Sequence, residues 1–175
     1  MLRIMRKLGR ADGAEIAEAA LVLPLVFMFL LGIVWFGRAF QIYSTITHAA
    51  QQGAITAARP ACGTCGNGFP SDTQVKDAVD AVMDASNLDT SLITQNPPSP
   101  PPTFCPSPPA PPGACSPIIS SITICRSVVL NTATNPVQCG VIVSFKYPFQ
   151  FYLPFTSLNM QQVTLAAQAQ SRMEN

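Results

Sequence analysis

Hydrophobic positions run without interruption from Ala19 to Gly37, AALVLPLVFMFLLGIVWFG, a stretch with no charged residue. At about 1.5 Å of rise per residue this matches a hydrocarbon core of roughly 30 Å. A soluble core helix needs a polar side to meet water, and this run has none. Beyond it the pattern changes to spacings of three and four, at Ala39, Phe40, Tyr43, Ile46, Ala50, Gly53, Ala54 and Ala57. Gln41, Ser44, Thr45, Thr47, His48, Gln51 and Gln52 fill most of the positions between. One helix over 14–58 is therefore predicted, apolar all round in its first half, amphipathic in its second, and ended by Pro60.

Shorter elements follow. After a turn-rich loop over 63–70, Ser71-Asp72-Thr73-Gln74 has the form of a capping box and predicts a short helix. Val75, Ala78, Val79 and Val82 form its apolar stripe, Lys76, Asp77, Asp80 and Asp84 point outward, and Asp72 can pair with Lys76 one turn on. Residues 97–117 hold eleven prolines, a density that removes backbone donors and predicts a stiff, exposed polyproline-like loop. Partly alternating β-branched and apolar residues over 120–130, 140–147 and 162–172 predict three strands. Pro148 and Pro154 bracket Phe149-Gln150-Phe151-Tyr152-Leu153, an apolar connection expected to pack under the sheet. The fold class is α+β: a long single-span N-terminal helix with a small antiparallel sheet, divided into a basic leader 1–13, the helix 14–58 and a domain 59–175 carrying the loop 97–117.

Charge orients the helix. Arg3, Arg6, Lys7 and Arg10 precede the span and only Arg38 lies close behind it, so the N-terminus belongs in the cytoplasm and the remainder outside. A cleaved secretory signal would have a shorter apolar region and a small-residue cleavage site. Here the run ends in Trp35-Phe36-Gly37-Arg38, an interfacial anchor, and is expected to be retained. The net charge of +1 leaves no nucleic-acid footprint. Lipid is the partner the residues themselves imply, and no small-molecule substrate is evident.

All six cysteines, Cys62, Cys65, Cys105, Cys115, Cys125 and Cys139, fall on the exported side, which reads as disulfides. Six cysteines admit fifteen complete pairings. Pairing between sequence neighbours, 62 with 65, 105 with 115 and 125 with 139, is the expected arrangement. Cys62-Gly63-Thr64-Cys65 has the CxxC form, but the strand-helix context of a redox domain and the further ligands of a zinc site are missing. His48, the single histidine, has no evident acid or nucleophile beside it. Asp72, Asp77, Asp80 and Asp84 lie at helical spacings and not in a calcium loop. No catalytic residue, metal ligand or cofactor site is expected, and the chain reads as a non-enzyme.

The sharpest local signal is Gly13-Ala14-Glu15-Ile16-Ala17-Glu18, after the basic leader and directly before the span. A glycine with a glutamate five residues on is the arrangement of a type IV prepilin, cut on the cytoplasmic side between Gly13 and Ala14 with the span left attached. Glu18 at the edge of hydrocarbon is costly to bury alone, so a neighbouring subunit's amine is its natural partner. The run from Gly13 to Pro24, continuing through Leu31-Gly32-Ile33-Val34-Trp35-Phe36-Gly37-Arg38, resembles the TadE-like proteins, pseudopilins of the tight-adherence (Flp pilus) assembly system. Residues 141–149 and 163–173 are similar to that family's closing strands. Ala19 stands where an aromatic is common in the family, and the proline- and cysteine-rich insert is not one of its hallmarks. The resemblance implies a pseudopilin or minor pilin in the bacterial inner membrane, with pilin, other pseudopilins and a prepilin peptidase as partners. Pro24 is expected to be a tolerated membrane proline. The competing reading is an unprocessed, membrane-anchored binding module of the cell envelope.

Overall fold

The structure is a computed structural model that describes residues 2–59, 68–106, 114–116, 121–133, 137–150 and 162–173. The elements are α1 (Leu2–Ala58), α2 (Asp72–Ala85), a short 3-10 turn (Thr90–Leu92), β1 (Thr94–Gln95), β2 (Ala114–Ser116), β3 (Thr123–Asn131), β4 (Gln138–Gln150) and β5 (Gln162–Arg172). They form an α+β protein with one antiparallel sheet. The chain divides into two compact units, 1–40 and 41–175. The division falls inside α1, so the outer part of that helix belongs with the sheet.

In the first unit the side chains of α1 described from Gly13 onward are exposed or half-buried, and none is buried. Leu21, Leu25, Phe29, Ile33 and Phe36 are all more than half exposed to their surroundings. The helix begins at Leu2, so the leader is helical as well, and Pro24 lies within it without ending it.

In the second unit the same helix is a core element. Ile46, Ala49, Ala50, Gly53, Ala54, Ala57 and Ala58 are buried, an i, i+3, i+4, i+7 stripe of mostly small residues. The expected stripe started earlier, at Ala39, but Phe40 and Tyr43 are exposed, because the core shared with α2 and the sheet starts at Ile46. Small residues let the helix approach closely. A Cβ built on Gly53 would lie 2.6 Å from Val79 Cγ2 and 3.4 Å from Val143 Cγ1, so α1, α2 and β4 converge there.

The capping box on α2 is present in both directions. Ser71 N donates to Gln74 Oε1 at 2.9 Å, and Gln74 N donates to Ser71 Oγ at 3.4 Å. Val75, Val79 and Met83 then face the core. The expected Asp72–Lys76 pair does not form. Lys76 pairs with Asp80 and Asp72 turns to Arg126 on β3, a partner far away in sequence that helical spacing does not reveal.

The sheet is ordered β1-β4-β3-β2, with β5 on the other side of β4. Val141, Val143, Phe145 and Tyr147 of β4 share the helix-facing core, as expected. β4 does not stop before Pro148 but continues to Gln150, pairing Pro148 with Thr164 and Phe149 with Val163. Beyond the pairing of β1 with Lys146, no described strand lies on the opposite side of β4. A proline is tolerated where the strand has one neighbour. The rest of the expected apolar connection, 151–154, lies outside the described residues.

The expected exposed loop over 97–117 is partly built into the sheet. Its first residues cover the face away from the helices. Ser144 Oγ donates to Asn96 O at 2.6 Å, and Ser99 N donates to Gln168 Oε1 at 3.2 Å. Pro98 is buried. Next, Phe104 bridges Val128, with Cys105 N donating to Ser127 O and Val129 N to Thr103 O, both at 2.8 Å. β2 then pairs with β3 over Ile124–Arg126. Both pieces run antiparallel to β3, so 103–105 and 114–116 follow one another along the same edge. Proline is compatible with an edge and not with the interior of a sheet, which is why the two pieces sit where they do.

Ser127 has φ 55°, and the register against β4 shifts between Cys125 and Val128. This bulge resets the alternation of β3. Ile124 faces the helix-side core, whereas Cys125 and Val128 both join Ile142 in a small cluster on the opposite face.

Candidate functional site

The residues singled out for processing, Gly13, Ala14 and Glu18, all lie in α1. Ala14 and Glu18 are one turn apart and so share a helix face. Glu15 and Glu18 are exposed, and nothing lies within 4 Å of a Cβ built on Gly13, Gly32 or Gly37. The helical backbone passes through the Gly13–Ala14 bond, so a peptidase that binds an extended chain must first unwind it. Glycine lowers that cost by about 1 kcal/mol relative to alanine.

The segment from Gly13 onward is long and apolar enough to be a candidate membrane span. Through residue 40 none of its described apolar side chains is buried, and contiguous exposed apolar surface on this scale marks a lipid or protein contact. The outer turns of the same helix, by contrast, have their apolar stripe already occupied by α2 and the sheet.

Where α1 ends, one charged side chain joins four elements. Arg126 donates to Ala57 O at 3.3 Å, to Pro70 O at 2.8 Å and to Asp72 Oδ1 at 2.8 Å. It thereby satisfies a terminal carbonyl of α1 and neutralises the first turn of α2. Ser116 on β2 adds a hydrogen bond to Asp72. Burial opposes ionisation of Asp72, but the hydrogen bonds from Arg126 and Ser116 and the guanidinium charge outweigh it and hold the carboxyl below its ordinary value. An acid with a depressed folded-state pKa contributes stability that is present above the unfolded value and lost as pH falls through the folded one. Asp72→Asn should therefore destabilise the second unit at pH 7, and the gap to wild type should close as pH drops below about 4. Chemical denaturation of the full chain in detergent at stepped pH measures this. Sequence reasoning did not find the junction, although a lone arginine within Thr123-Ile124-Cys125-Arg126-Ser127-Val128 was a signal that some buried acceptor awaited it.

The cysteines pair as Cys105–Cys139 and Cys115–Cys125. The expected 105–115 and 125–139 pairs are thus corrected. Cys115 and Cys125 stand directly opposite on β2 and β3, and the edge position of Cys105 brings it to the start of β4. Cys62 and Cys65 lie outside the described residues. His48 is exposed on α1, and Asp77 and Asp84 are exposed on α2.

A long helix with a bare apolar half and a buried amphipathic half is the arrangement on which the family comparison bears. Residues 13–54 match the family model described as TadE-like protein. The matched segment starts at the glycine singled out for processing and ends within the buried stripe, one residue past Gly53. It includes the uncharged apolar run Ala19–Gly37 and most of the part of α1 that packs on α2 and β4. The resemblance read from Gly13 to Arg38 is thereby supported by the match, while α2 and the sheet lie beyond the matched residues. No curated protein and no solved structure matches the chain.

Proposed function

We propose that this chain is a membrane-anchored pseudopilin or minor pilin that takes part in assembling a tight-adherence (Flp, type IVb) pilus. The observation that carries this reading is the dual character of the TadE-like segment within one unbroken helix. Its first part offers apolar surface on every side, and its last part is locked into the core of the sheet unit. Such a helix anchors in lipid while separate, and packs against other apolar helices through van der Waals contact when subunits associate. The role is assembly and not catalysis. The positive flank supports an orientation with the N-terminus in the cytoplasm and the sheet unit outside the inner membrane.

Processing between Gly13 and Ala14 fits the same reading. After such a cut the mature helix would start at Ala14, which puts Glu15 in its first turn and Glu18 one turn on, beneath the new amine. Acidic residues are favoured there by the helix dipole and by the new amine. N-terminal sequencing of the protein extracted from membranes, with its intact mass, should give a mature chain starting at Ala14. An intact leader would overturn the processed-pilin reading and favour an unprocessed anchored binding module.

A further inference from the structure

The two edges of the sheet are treated differently. On the β2 side the described edge pieces are short, Pro102, Pro106 and Pro117 flank them in the sequence, and two disulfides tie them to the neighbouring strands. These are recognised ways to prevent a sheet from recruiting another strand. On the β5 side none of them is present. β5 pairs with β4 through eleven consecutive residues without a register shift. From Gln162 to Ser171 it holds no charge, no proline and no glycine, and among the described residues no strand pairs with its outer side. The edge also leaves apolar surface uncovered on the helix-facing side, since Val163 is 42% exposed and Leu165 is only partly buried.

We propose that β5 is an association edge that pairs antiparallel with β5 of a second copy of this chain. The register is set by self-complementarity. With a two-fold axis through Ala167, Leu165 stands opposite Ala169 of the other copy and Val163 opposite its Ser171, large against small. On the other face Thr164 meets Gln170, Ala166 meets Gln168, and Gln162 meets Arg172. The single charge of the strand thus falls against an amide at both ends, so no like charges meet. The smallest side chain sits where the two strands cross the axis. The backbone groups on the outer side of β5 supply the hydrogen bonds, and the exposed Val163 and partly buried Leu165 gain cover. An eleven-residue edge buries less than a standard permanent interface, so the association is reversible and about micromolar in strength.

A charge exchange tests the pairing and its register. Thr164 and Gln170 are exposed, and the residues directly opposite them on β4, Pro148 and Ile142, carry no charge. The double variant Thr164→Lys with Gln170→Lys sets lysine against lysine at both symmetry-related pairs. Thr164→Lys with Gln170→Glu sets lysine against glutamate at the same two pairs. Sedimentation of the full chain in detergent should show a wild-type dimer, weakened about tenfold or more by the two-lysine variant and restored to wild-type strength or better by the lysine–glutamate variant. A wild-type chain that stays monomeric far above micromolar concentration overturns the proposal. So does a dimer indifferent to both variants, which another surface such as the bare half of α1 would then hold, or one weakened equally by both. None of these outcomes depends on whether the leader is processed.

Discussion

Gly53→Leu should lower the stability of the sheet unit by about 3 kcal/mol, read as a fall of roughly 10 °C in its unfolding temperature. The cause is local and steric. The Cβ alone would meet Val79 Cγ2 at 2.6 Å, closer than carbon atoms pack, and the remaining leucine carbons have only Val75, Val79 and Val143 to push against. Valine in a helix holds essentially one side-chain rotamer, so Val79 has little room to turn aside. The strain must therefore be relieved by moving α2 away from α1 or by opening the helix–sheet core. Gly53→Ala makes the sharper test. Alanine favours a helix over glycine by about 1 kcal/mol, so in an exposed helix the change would stabilise. Here it should destabilise, and Val79→Ala in the same chain should recover part of the loss because the two positions share one space. Thermal unfolding of the four chains of this cycle, followed by near-ultraviolet circular dichroism in detergent, measures it. A stabilised Gly53→Ala chain would mean that α1 does not pack against α2 at this point.

The long helix, the capped helix and three strands were legible because each rests on a local pattern. An apolar run, a three-and-four spacing, a Ser-x-x-Gln box and alternation over β4 are all contained within one element. What was not legible rests on contacts between elements. Asp72 has Lys76 one turn away in the sequence pattern, yet Arg126 wins because it also finds Ala57 O and Pro70 O, and no single helix encodes that convergence. Pro148 reads as the end of a strand, yet β4 passes through it, paired with Thr164 on one side and with no described strand on the other. The bulge at Ser127 has no glycine to announce it, and without it the alternation of β3 would assign Val128 to the wrong face. The proline-rich stretch misled most. Composition forbids an interior strand but permits an edge, and two short pieces of it took edge positions on β3. Of the candidate site, Gly13, Ala14 and Glu18 were placed by sequence alone, and the structure adds that they belong to one continuous helix.

Removing Cys105–Cys139 should cost more stability than removing Cys115–Cys125, and the order follows from chain length. A cross-link limits the unfolded chain in proportion to the logarithm of the loop it closes. The separations are 34 and 10 residues. Taken singly, they correspond to about 4 and about 3 kcal/mol at 25 °C. The shorter loop lies inside the longer one, so the two contributions are coupled and their sum overstates the double loss. Serine replacements in pairs, Cys105→Ser with Cys139→Ser and Cys115→Ser with Cys125→Ser, avoid leaving a lone thiol. Denaturant unfolding should rank wild type above the 115–125 variant, and that above the 105–139 variant, by about 1 kcal/mol between the last two. The native state points the same way. Cys115 and Cys125 are already held opposite each other by strand pairing and by the cluster with Val128 and Ile142. Cys105 instead reaches β4 from outside the β3 edge, across a strand to which its own segment is bound by a single bridge at Phe104. Without its disulfide, 103–105 would be held, among the described residues, by the two backbone hydrogen bonds of that bridge, and the edge that closes this side of the sheet would fray first. A 115–125 variant less stable than the 105–139 variant would mean that local strand pairing, and not chain closure, dominates at this edge.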